Sequence, residues 1–106
     1  MFNDKFKELG KKCLERTQEE IALMHQVIGR ARGGDATALT DAGVIAHRVC
    51  GGCAMLGFLD LSKVAGRLET TFKELGPAPD AEGWSVIDIL MQQFESALQD
   101  AKSNQN

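Results

Sequence analysis

One twelve-residue run, Ala46 to Gly57, holds the side chains of this chain best suited to chemistry. It reads Ala-His-Arg-Val-Cys-Gly-Gly-Cys-Ala-Met-Leu-Gly. His47 could serve as a nucleophile, because an unperturbed histidine, with a pKa of about 6.5, offers a neutral imidazole near neutral pH. Cys50-x-x-Cys53 could serve as a thiol pair, and with His47 it offers three metal ligands on successive helical turns. A phosphoryl-carrying histidine and a thiol or metal site are different chemistries, and the elements around the run decide between them.

Those elements read as helices throughout, since no segment alternates at the strand period. A first segment, about Asn3 to Arg32, carries Phe6, Leu9, Cys13, Leu14, Ile21, Met24 and Ile28, with a break expected near Gly10 that would set off a short extra N-terminal helix. Gly33-Gly34-Asp35 connects it to a second, about Thr37 to Leu56, which Gly57 ends. The third, Phe58 to Leu75, repeats Leu61, Val64, Ala65, Leu68, Phe72 and Leu75 at three- and four-residue steps. Pro77, Pro79 and Asp80 form a connector. The fourth, about Gly83 to Lys102, carries Trp84, Ile87, Leu90, Met91, Phe94, Leu98 and Ala101. The expected fold is all-α: an up-down antiparallel four-helix bundle. One domain over residues 1–106 is expected, with a fraying polar tail at 103–106.

On a wheel of roughly 100° per residue, Ala38, Ala42, Ile45, Val49, Gly52 and Leu56 fall together as the core face of the second helix. His47 falls opposite, exposed, among Gly43, Cys50, Gly51 and Ala54. Each interior glycine costs a helix roughly 1 kcal/mol relative to alanine. Close packing would account for Gly52. Gly43 and Gly51 point outward, and bare backbone beside an exposed imidazole suits a site that something bulky must approach. The plainer alternative is an ordinary surface histidine with incidental glycines.

Ala46-His47-x-Val49-x-Gly51-x-x-x-x-Leu56-Gly57 resembles the signature of histidine-containing phosphotransfer (Hpt) domains, in one-letter form A-H-x-L-K-G-S-x-x-x-L-G. Without a gap, Phe58, Leu61, Ala65, Leu68 and Glu69 resemble the stretch that follows it. The Gly51-Gly52 and Gly57-Phe58 pairs are similar to the phosphotransfer domains of chemotaxis histidine kinases. Gly34, Asp35 and Leu39 resemble the family's G-D-x-x-x-L, at a slightly longer spacing from Ala46. The specific match spans Ala46 to Glu69, and the four-helix layout spans nearly the whole chain.

The resemblance implies a phosphorelay intermediate. It implies His47 as the phosphoacceptor between receiver-domain aspartates of hybrid kinases or response regulators. Gly51 would leave room for the phosphoryl group, and Glu69 matches an acidic residue near the histidine. Cys50, Gly51, Ala54, Arg67 and Glu69 would surround the phosphoryl group. A receiver would dock over Gly43, His47, Cys50, Gly51 and Ala54. The divalent metal would be the receiver's, so no cofactor of the chain's own is expected. One departure matters: Cys50 stands where the family usually has a phosphate-holding lysine. Arg67, on the antiparallel third helix, is the substitute considered. Positioning and charge neutralisation carry phosphoryl transfer, so little more is needed. With no Gly-rich nucleotide loop, ATP-dependent kinase activity is not expected.

The rest of the chain narrows the alternatives. A net charge of −3 and a pI near 5.3 argue against a nucleic-acid groove. No signal-peptide core or membrane-length segment is apparent, so a cytoplasmic protein is expected, and nothing requires more than a monomer. Three cysteines do not suggest a disulfide framework. A closed zinc site needs four ligands, and beyond the run only Cys13 and His25 remain. Cys53 then flanks the core as a small apolar residue, and Cys50 merely replaces lysine. His25 is expected to be partly packed, Met24, Met55 and Met91 to fill the core, and Trp84 to anchor it. Two other functions stay open: a redox- or metal-responsive helical protein using Cys50 and Cys53, and a docking bundle without phosphate chemistry.

Overall fold

The computed structural model describes residues 2–105. They form four helices: α1 (Phe2–Arg32), α2 (Ala38–Met55), α3 (Leu59–Leu75) and α4 (Ala81–Ser103). Each helix packs on its neighbours in sequence, and α4 closes on α1. Among the described residues the backbones of diagonal helices do not approach closely, so the order around the bundle is the order along the chain, as short connections between antiparallel helices require. The molecule is 50 Å long and about 20 Å across. The 31 residues of α1, at 1.5 Å each, span nearly that whole length.

α1 runs unbroken through Gly10, contrary to the break expected there. Gly10 is buried because Phe58 and Gln105 lie against it; a Cβ would sit 3.4 Å from the Phe58 ring. The small residue serves packing there, so no separate N-terminal helix exists among the described residues. Phe6 and Leu9 are about half exposed, and burial on α1 begins in earnest at Leu14. One core joins all four helices, with Met24, Ala46, Leu68 and Phe94 inaccessible to solvent. Met91 is buried with them, but Met55 is 86% exposed at the end of α2, against the expectation of a core filler. Trp84 is half-buried, with the Arg32 guanidinium 4.5 Å above its ring. His25 lies on the surface, paired with Glu95.

The connections have distinct causes. Asp35 accepts from the Thr37 N–H and hydroxyl at 2.9 and 2.8 Å, fixing the entry to α2. Arg30 spans Asp35 and Asp41, joining the end of α1 to the first turn of α2. Gly57, at φ +81°, ends α2: its N–H donates to the Ala54 carbonyl, and that of Phe58 donates to Cys53. This double closure satisfies two carbonyls of the last turn and needs the left-handed conformation that glycine adopts freely. Asp80 caps α4 by accepting from the Gly83 N–H at 2.9 Å, which starts the helix two residues earlier than its apolar pattern suggests.

Candidate functional site

α2 and α3 make the most extensive helix pair of the bundle, and the His47 surface lies across it. Their close approach follows from small side chains: Ala38, Ala42 and Ala46 on α2 and Ala65 on α3 are wholly buried. Burying Ala46 turns its neighbour His47 outward, and the His47 side chain is 73% exposed.

Its ring is nevertheless fixed. His47 Nδ1 lies 3.2 and 3.1 Å from the two carboxylate oxygens of Glu69 on α3. An ionised carboxylate only accepts, so Nδ1 carries the hydrogen and donates it. In the neutral ring Nε2 then keeps its lone pair and faces away from the carboxylate. Partial burial pushes the Glu69 carboxyl up, but hydrogen bonds from His47 and Lys73 outweigh it and hold the group below its ordinary range.

Lys73, one turn beyond Glu69, donates to the same carboxylate at 3.3 Å. His47, Glu69 and Lys73 line one shallow groove of about 400 Å³, with Gly43, Val44 and Thr40 on its α2 side. Lys73 is thus the α3 cation that shares this groove, a residue not among those expected from the sequence. Its i, i+4 relation to Glu69 was the signal available. Arg67 is exposed, does not line the groove and makes no hydrogen bond or ion pair with His47. Two residues before Glu69, it points roughly 160° away around the helix. Arg48 also borders this groove, but its Nη2 is drawn toward α1, where it meets Glu20 at 3.1 Å.

The glycines divide differently from the wheel. A Cβ at Gly43 or Gly51 would meet nothing within 4 Å, so both leave open space beside His47. Gly52 is exposed as well, with no close packing to explain it; Cys53 takes the core position, 1% accessible. The buried stripe runs through Leu39, Ala46 and Cys53 at seven-residue steps, which leaves Gly52 at the mouth of a groove between α1 and α2. Ala54 is exposed, Val44 borders the histidine groove, and Met55 is exposed at the C-terminal end of α2.

Cys50 does not stand free where a phosphate-holding lysine was expected. It is half-buried against α3, its Sγ 3.5 Å from the Ser62 hydroxyl, which in turn donates to the Cys50 carbonyl at 2.9 Å. A Cβ on Gly66 would meet that sulfur at 3.5 Å. Cys53 instead faces Cys13 on α1, so His47, Cys50 and Cys53 point to three different surroundings and do not converge on a shared ligand. Among the described residues, no three His, Cys, Asp or Glu side chains group as a metal site, and no helix is long and apolar enough to cross a membrane.

The arrangement offers an exposed nitrogen nucleophile, a carboxylate behind it and a cation beside it. No curated protein and no solved structure matches the chain significantly. The family described as Hpt domain matches residues 6–103, nearly the whole chain. Domains of this family are histidine phosphotransfer modules of phosphorelays and not kinases. With the four-helix bundle and the match over almost its full length, the chain belongs to the Hpt domain family.

Proposed function

We propose that this chain is a phosphorelay intermediate that carries a phosphoryl group on Nε2 of His47, as a single module, between aspartates of receiver domains. The observation that carries this is the His47–Glu69 pair: an imidazole largely open to a partner, yet oriented through Nδ1 by a carboxylate. In the forward step, the Nε2 lone pair attacks the phosphorus of a receiver's aspartyl phosphate. The P–N bond forms, the P–O bond to the aspartate breaks, and the freed carboxylate leaves with the electron pair. The ring becomes cationic, and Glu69 compensates that charge through the retained Nδ1–H bond. Transfer to a second receiver is the reverse sequence. The receiver supplies the divalent metal.

Gly43, Gly51 and Ala54 leave room for the phosphoryl group and the rim of the partner. Val44 and Met55, exposed beside them, supply apolar contact area. Cys50 borders the surface without contacting the phosphoryl group, and Lys73 takes the electrostatic role earlier considered for Arg67. The partners are receivers of response regulators or hybrid kinases, met by a monomer in the cytoplasm.

Incubation with a panel of phosphorylated receiver domains tests the assignment. Acid-labile, base-stable label is expected on the wild-type protein and on His25→Gln, and none on His47→Gln. Equal labelling of His47→Gln would refute it, and absence of label with every receiver would favour a docking bundle without phosphate chemistry.

A further inference from the structure

The Cys-x-x-Cys of the sequence is not the close thiol pair of the fold. Cys53 on α2 meets Cys13 on α1, forty residues earlier, with their sulfurs 4.0 Å apart. Cys50 is turned to α3 and Ser62. Thr17, 3% accessible, lies against both members of the pair. Its hydroxyl donates to the Cys13 carbonyl at 2.8 Å, and its oxygen is 3.7 Å from the Cys53 sulfur. With the Thr17 hydrogen committed, its oxygen can accept only from the Cys53 thiol.

Access is unequal. Both residues line an open groove of about 410 Å³ between α1 and α2, but Cys53 is buried there and Cys13 only half-buried. A small oxidant entering there reaches Cys13 first. Burial pushes the Cys53 thiol up to about 12, which disfavours it as the first sulfur to meet the oxidant.

We propose that Cys13 and Cys53 form a peroxide-oxidisable thiol pair that closes to a disulfide between α1 and α2. Cys13, having lost its proton to water, attacks hydrogen peroxide: the O–O bond breaks, a Cys13 sulfenic acid forms, and the departing hydroxide takes up a proton as water. The Cys53 sulfur then attacks the Cys13 sulfur. The S–S bond forms, the S–OH bond breaks, and the hydroxide leaves as a second water with the Cys53 thiol proton. Two thiols are oxidised by two electrons and the peroxide is reduced to two waters. The bond would clamp to α1 the helix that carries His47, and it does not depend on the phosphotransfer assignment.

The test is to treat the reduced protein with hydrogen peroxide, alkylate it and map its peptides by mass spectrometry. An intramolecular Cys13–Cys53 link with Cys50 alkylated is expected. The melting temperature should rise by about 10 °C, reversed by reductant, because the link closes a long loop in the unfolded chain. Cys13→Ser, with its helical circular dichroism retained, should lose both the link and the shift, whereas Cys50→Ser should keep both. A link through Cys50, Cys13 carried to sulfinic acid without a link, or thiols left unoxidised would overturn the proposal. If Cys13→Ser fails to fold, the wild-type peptide map decides alone.

Discussion

Glu69 reaches across from α3 to hold the Nδ1–H of His47 on α2, at 3.1 Å to the nearer oxygen, while the rest of the imidazole stays open to solvent. The carboxylate sets which ring nitrogen is free, and it joins the histidine to Lys73. A side chain that is mobile on an isolated helix thereby gains a defined orientation.

Replacing Glu69 should slow phosphoryl transfer without unfolding the protein. Glu69→Ala removes the acceptor for Nδ1–H, and a loss of roughly 5- to 10-fold in transfer rate is expected, the worth of one charge-assisted hydrogen bond at a solvated site. Glu69→Gln keeps an acceptor oxygen and should lose less. Single-turnover transfer from a phosphorylated receiver measures both. Equal rates for wild type and Glu69→Ala would show that the ring needs no such support.

Lys73 should act by charge. Lys73→Ala is expected to reduce the rate roughly fivefold at low salt, about the Coulomb worth of one exposed charge near the phosphoryl oxygens. The difference should shrink as salt is raised, and Lys73→Arg should restore most of it. Arg67→Ala should leave the rate unchanged. The reverse ranking of Lys73 and Arg67 would count against the groove as the phosphoryl environment.

Stability and transfer should separate at Gly51. Its position is exposed and helical, with nothing within 4 Å of a Cβ, so Gly51→Ala should stabilise the protein by about 1 kcal/mol in urea denaturation. Gly51→Gln should fold at least as well as wild type yet lose roughly 10- to 100-fold in transfer, because a longer side chain misplaces the partner. A Gly51→Gln protein that transfers normally would mean the open space is incidental.

Acid should weaken the α1–α2 turn in a defined window. The Thr37 hydroxyl and N–H and the Arg30 guanidinium hold Asp35 down to about 2, from an ordinary 3.8. A group lowered in the folded state contributes stability that is complete above its unfolded value and is lost as pH falls through its folded value. The gap in melting temperature between wild type and Asp35→Asn should therefore be full at neutral pH and shrink between pH 3.8 and about 2. Circular dichroism melts across that range measure it, and a gap that widens on acidification would contradict the ionised Asp35 as the stabilising form.

Local pattern alone determined the four helices, the outward direction of His47 and the clearance at Gly43 and Gly51. These depend on the angle of a residue around its own helix axis, which the step along the chain fixes. The resemblance around His47 brought Glu69 into consideration on residue type and spacing. The tertiary structure decided which side chains from different helices meet. Axial register and interhelical distance, with alanines buried between α2 and α3, brought Glu69 and Lys73 into the His47 groove, while the angle around α3 already turned Arg67 away from it. The same packing turned Cys50 toward Ser62 and paired Cys53 with Cys13. No periodicity within α2 encodes where α1 and α3 come to rest against it, because that depends on how the volumes of side chains on separate helices fill one shared core.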